Sequence, residues 1–91
     1  GVADIFSPNS DGYNDRLRVH GNGIAKINFS IFDRYGGKVY ETESVEEAIE
    51  KGWDGTKEES DLNPGVFVYV VKVTLLDGTF REMVGNVTLV R

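Results

Sequence analysis

Oxygen-bearing side chains crowd one stretch near the start of the chain. In FSPNSDGYND, Phe6 to Asp15, the residues Asn9, Asp11, Asn14 and Asp15 stand at positions 1, 3, 6 and 7 of the run 9–15. Hard cations such as calcium take roughly six to eight oxygens, and carboxylates with amides suit them. Gly12 permits the tight backbone such a loop needs. A loop that wraps calcium with alternating ligands usually closes on a glutamate at about its twelfth position, and none stands there. The same residue types also make a turn without metal. Asn and Asp side chains cap their own backbone, and Pro8 and Gly12 shape the bend. The stretch is therefore either a calcium site or a self-bonded turn.

Catalytic inventory is thin. The chain has one histidine, His20, and no cysteine, which excludes disulfides, thiol catalysis and zinc-thiolate sites. No nucleophile stands in a strained elbow, so a Ser-His-Asp arrangement has no recognisable frame. Glu46, Glu47, Glu50, Glu58 and Glu59 could pair for acid/base work. Nothing apolar surrounds them to raise a carboxyl pKa, and a charge run is usually a solvated face. The expectation is a non-enzyme.

Charge points the same way. The chain carries ten bases against fifteen acids for a net of -5. Nine of those acids, with two bases, lie between Glu41 and Asp61. No basic stripe exists to neutralise phosphates, so nucleic acid is not an expected partner. No apolar run reaches the ~20 residues of a membrane span. At 91 residues the chain is one domain with one core.

The elements that must position these residues read as strands. Arg16 to His20 alternates, with Leu17 and Val19 inward. Ile24 to Phe32 sets Ile27, Phe29 and Ile31 on one face against Lys26, Asn28 and Ser30. Asp33 to Gly37 turns the chain, and Lys38 to Thr42 pairs back as a hairpin. SVEEAIEK, Ser44 to Lys51, has capping-box spacing at Ser44 and Glu47 and predicts at most two helical turns. Trp53, in GWDGT, is expected to plug one end of the core. Lys57 to Gly65 reads as polar loop. Val66 to Leu75 is a long strand with Phe67, Tyr69, Val71, Val73 and Leu75 on one face. Asp77-Gly78 predicts a tight turn with positive φ at both centre residues. Phe80 to Val90 is the last strand, with Met83, Val87 and Leu89 on one face and a possible bulge at Gly85. Such strands and turns predict an all-β, antiparallel β-sandwich of about seven strands. Asn28-Phe29-Ser30 and Asn86-Val87-Thr88 match glycosylation acceptors, but both lie inside predicted strands and are read as chance.

Val66, Val68 and Val70 pose a separate problem, because they make the long strand apolar on its second face too. Phe32 and Tyr40 are expected on that same outer face. Either the 44–62 segment folds over it with Trp53, or it is a docking patch for a transport or anchoring partner.

Five motifs, in order, carry a resemblance. FSPNSDGYND, IFDRYGGKVYE, GWDGT, LNPGVFVYVVKV and GNVTLVR span residues 6–91. Together they resemble the gliding motility-associated C-terminal domain, the type B sorting domain of type IX secretion. Three departures stand out: Ser10 for a usual glycine, Tyr35 for a common tryptophan, and a poorly matched segment at 44–51. The resemblance implies an immunoglobulin-like sandwich at the C-terminus of a larger surface or secreted protein, of which residues 1–91 would be a piece. It implies export through the periplasm to the cell surface or medium, with outer-membrane components of the type IX machinery as partners. A monomer is favoured. Recognition is expected on exposed strand edges and the last strand, Val84 to Arg91, so Arg91 joins Phe32, Tyr40, Val66, Val68 and Val70 as candidate partner-binding residues. Two other functions stay open. One is a structural immunoglobulin-like adhesin module. The other is a calcium-dependent carbohydrate-binding module, which would need an aromatic platform from Tyr13, Tyr35 and Trp53.

Overall fold

The computed structural model describes residues 5–6 and 15–91, with the backbone alone at 5–6. Seven strands appear among the described residues: β1 (Ile5–Phe6), β2 (Ile24–Phe32), β3 (Lys38–Thr42), β4 (Thr56–Lys57), β5 (Ser60–Asp61), β6 (Gly65–Leu75) and β7 (Phe80–Leu89). Five form one sheet in the order β1-β7-β6-β2-β3, and β4 and β5 pair separately. All pairings are antiparallel except β1 with β7. The result is a β-sandwich-like fold with one full sheet and a thin opposing layer.

Alternation decides what each strand buries. Ile27, Phe29 and Ile31 of β2, Phe67, Val71 and Val73 of β6, and Val87 and Leu89 of β7 all point to one side and are buried. Leu17, Val19, Ala48 and Trp53 close the core from the other side. Backbone bonds hold that thin layer together. Leu17 N–H donates to the Trp53 carbonyl at 2.8 Å, Trp53 N–H returns to Leu17 at 2.9 Å, and Val19 N–H donates to Ala48 at 3.0 Å. Trp53 is the predicted plug. It is 1 % exposed, its indole N–H donates to the Thr56 carbonyl at 2.9 Å, and its ring meets Phe67 edge-on at 5.1 Å.

The segment at 44–51 is one short helical turn, with π geometry over Glu47–Lys51. Ser44 begins it as the spacing predicts: its Oγ accepts from Glu47 N–H at 3.1 Å. Gly52 ends it at φ 72°, donating to the Glu47 carbonyl at 2.7 Å. A Cβ at residue 52 would run into the Leu17 carbonyl oxygen, so glycine is required there by both conformation and space.

The two main hairpins share one turn geometry. Gly36 N–H donates to Asp33 and Asp33 N–H to Gly37; likewise Gly78 N–H donates to Leu75 and Leu75 N–H to Thr79. Gly36 at φ 86° and Gly78 at φ 87° are the left-handed residues. These are three-residue loops, a type I turn followed by a glycine. The two-residue turn expected at Asp77-Gly78 is therefore corrected. Asp77 stays out of the left-handed region and instead accepts from Thr79 N–H at 2.8 Å, an Asx turn. Gly85 is no bulge either, since it pairs in register with Tyr69. It is glycine because a Cβ there would strike the Tyr69 hydroxyl.

Candidate partner-binding face

β6 sits at the centre of the sheet's outer face. Rows run across it from β2 to β7: Phe32, Val68 and Asn86; Ser30, Val70 and Val84; Asn28, Lys72 and Glu82; Lys26, Thr74 and Phe80. Phe32, Val68 and Val70 are half-buried, Val66 is 48 % exposed, Val84 63 % and Phe80 59 %. Trp53, with the helical turn's Ala48, lies in the core on the opposite side of the sheet. The expected cover by the 44–62 segment is thereby overturned: the Leu17–Trp53 bridge draws that segment to the inner face.

Charged pairs rim the apolar rows. Lys38 meets Glu41 at 3.0 Å, Asn28 donates to Glu41 at 2.8 Å, and Lys72 stands 3.9 Å from Glu82. The Asn28 hydrogen bond, then Lys38, holds the Glu41 carboxyl below its usual range. A shallow cleft of about 470 Å³ lies between these groups, lined by Phe32, Val70, Lys38 and Lys72 among others. An apolar centre with a polar rim is the anatomy of a protein contact surface.

Tyr40 does not belong to this face. Ile31 pairs with Tyr40 and Phe32 with Lys38, which leaves Val39 as an extra residue in β3. The bulge turns Tyr40 toward the inner side, where its ring meets Phe29 at 5.7 Å and its hydroxyl donates to Glu47 at 2.8 Å. Burial, then the Glu47 hydrogen bond, pushes the Tyr40 phenol well above its ordinary value. Arg91 is engaged within the fold. Its guanidinium donates to the Leu62 and Gly55 carbonyls, each at 2.9 Å, with Asp61 at 3.9 Å. Two further residues lie on the outer face: Val84, which opens the expected recognition stretch Val84 to Arg91, and Phe80, which the sequence reading left out of it. Their signal was the second face of the β7 alternation, Phe80-Glu82-Val84-Asn86-Thr88.

The other candidates scatter. Asn9, Asp11 and Asn14 lie outside the described residues, and Asp15 is half-buried at their edge. Among the described residues no three of His, Cys, Asp and Glu gather as a metal site. His20 is exposed beside an apolar cleft of about 220 Å³. Glu46, Glu50, Glu58 and Glu59 are exposed, and Glu47 serves Tyr40. Of the three aromatics a sugar platform would need, Trp53 is core, Tyr35 is 83 % exposed on a turn with Arg34 stacked at 5.1 Å, and Tyr13 lies outside the described residues.

Comparison with known proteins gives one decisive match. The family model described as CHU_C Type IX secretion signal domain matches residues 1–89. No curated protein matches. Among solved structures, the crystal structure of CopC from Methylosinus trichosporium OB3b aligns with a TM-score of 0.53 at 24% identity, covering 80% of this chain and 71% of that one. That likeness concerns the fold alone. With the family model running through the motifs FSPNSDGYND, GWDGT and LNPGVFVYVVKV, the chain belongs to the CHU_C family of type IX secretion signal domains.

Proposed function

We propose that outer-membrane components of the type IX machinery read this sorting domain as a folded unit, through the outer sheet face centred on Phe32, Val68 and Val70. The family role is that of a C-terminal sorting signal, and such a signal implies export to the cell surface or medium. The finer reading adds a surface, a passage through the periplasm and a domain that recognises rather than catalyses. The observation that carries it is an apolar face left open by the described residues while the core is complete on the other side. Large open apolar patches on soluble domains mark contact sites. Charged rims at Lys38–Glu41 and Lys72–Glu82 supply orientation more than affinity.

The test is export of a reporter fused upstream of residues 1–91, in hosts with an intact or a disabled type IX system. Reporter at the surface or in the medium of the intact host alone supports the address. Val68→Lys with Val70→Lys then tests the face. Both residues point away from the core, so the variant is expected to fold, to retain its reporter inside the cell and to lose partner capture. A folded variant exported at the parental level refutes the face. An unfolded one reassigns Val68 and Val70 to the core.

A further inference from the structure

We infer that the edge of β7 that the described residues leave open, from Phe80 to Asn86, accepts an extended apolar strand from a protein of the export machinery and lengthens the sheet by one strand. The inference rests on the reading of the domain as a folded address and names the contact that reading requires. Hydrogen bonding through the β6–β7 hairpin shows which backbone groups are open. Leu75 N–H donates to the Thr79 carbonyl at 2.8 Å, so Leu75 and Thr79 form a hydrogen-bonded pair. In an antiparallel ladder such pairs alternate with pairs whose N–H and C=O groups point outward. In the β6–β7 register Arg81, Met83, Gly85 and Val87 bond β6, while Phe80, Glu82, Val84, Asn86 and Thr88 face away. β1 takes this edge at Thr88 and Leu89, the one strand found on it among the described residues. The edge thus already accepts a strand at one end, and the outward groups of Phe80, Glu82, Val84 and Asn86 continue the same line.

The side chains on that line select the occupant. Phe80 and Val84 are exposed on the outer face, and Val84 continues the apolar row of Val70. A strand with apolar residues at alternate positions would extend that row while its backbone satisfies the edge. A second copy of this chain fits poorly. Two-fold pairing centred on Glu82 opposes two carboxylates. Pairing centred on Val84 sets Phe80 of each copy against Thr88, where β1 already pairs. Each copy also carries a net charge of -5.

Proline tests the edge without touching the hairpin ladder, because it removes an N–H that β6 does not use. Val84→Pro and, separately, Glu82→Pro are made in the reporter fusion, with Val84→Thr as the control that keeps the N–H. Either proline variant is expected to keep the circular dichroism of the parent and to lower export about 10-fold, the effect of roughly one to two lost backbone hydrogen bonds. Val84→Thr keeps the N–H and gives up only part of the apolar row, so it is expected to lower export less than Val84→Pro. Folded proline variants exported at the parental level overturn the inference and leave the sorting role standing. A parent fusion that is not exported from the intact host overturns the sorting reading instead. Should the proline variants fail to fold, hydrogen exchange on the unmodified domain decides. The Glu82 and Val84 amides are expected to slow at least about 10-fold with solubilised outer membranes from the intact host but not from the disabled host. Equal rates with both preparations overturn the inference. So does a dimer of the free domain, seen by light scattering and dissolved by Val84→Pro, which would give the edge to a second copy.

Discussion

Whether the machinery reads a folded surface or a linear stretch of sequence can be decided at Trp53. The indole is 1 % exposed, donates to the Thr56 carbonyl and packs on Phe67 at 5.1 Å, all remote from the outer face. Trp53→Ala removes the plug. Truncating a buried tryptophan costs about 3–5 kcal/mol, and the lost Thr56 hydrogen bond is part of that figure. A domain of this size has about 5–14 kcal/mol in total. The substitution should therefore lower the melting temperature by roughly 20 °C and the urea midpoint by about 2–3 M. Trp53→Phe keeps the apolar plug and should lose only about 1–2 kcal/mol. Circular dichroism follows both, since Trp53 is the sole tryptophan and its fluorescence goes with it. Export should track folding: near parental for Trp53→Phe, and sharply reduced for Trp53→Ala at temperatures where that variant is unfolded. A loss below about 1 kcal/mol would refute the plug. An unfolded Trp53→Ala fusion exported as well as the parent would refute recognition of a folded unit.

Three further outcomes are expected. Gly85→Ala should destabilise by about 1–2 kcal/mol through collision with the Tyr69 hydroxyl, and in a Tyr69→Leu background the same change should be neutral or stabilising by urea denaturation. Arg91→Ala should lose about 1–2 kcal/mol by removing a guanidinium shared between the Leu62 and Gly55 carbonyls; Arg91→Lys should not restore it, because an ammonium lacks the fork, and Asp61→Ala should change little. The Tyr40 phenol is raised above its ordinary value of 10.0 by burial and by Glu47, so the folded state holds that proton longer than the unfolded chain. Its contribution is intact below about pH 10 and is lost as pH rises beyond that, and Tyr40→Phe should flatten the stability profile in that window.

Much of the fold was legible because the period of two is strong where one face is buried. Ile27-Phe29-Ile31 and Phe67-Tyr69-Val71-Val73 could be set on the inner side from sequence, and Trp53 could be named as a plug from its glycine-flanked turn. What failed had physical reasons. Tyr40 was placed on the wrong face because a bulge at Val39 shifts β3 by one residue, and one residue exchanges the two faces. β4 and β5 were unread because their turn is Glu58-Glu59, with φ 53° and 69°, where glycine or asparagine is the usual signal. β1 was missed because two residues carry no period, and its pairing with Thr88 and Leu89 is a contact between the ends of the chain. The outer face was half legible: Val66, Val68 and Val70 announced it, but Trp53's side of the sheet depends on the Leu17–Trp53 bridge, which no local pattern encodes.

The shared turn of the two main hairpins bears on the order in which the domain assembles. Asp33–Gly37 and Leu75–Thr79 each close a pair of neighbouring strands through the same bonds, and hairpins of this kind form within about 1–10 μs. Joining them requires β2 to find β6, from Phe32 with Val68 to Ile24 with Leu75, across a connection that includes the helical turn and Trp53. That long closure carries the entropic barrier and is expected to set the folding rate. Substitutions such as Val71→Ala, in the β2–β6 seam, should then slow folding, whereas Leu17→Ala in the thin layer should mainly speed unfolding. Stopped-flow kinetics showing the reverse would place the thin layer in the nucleus and make the hairpins late.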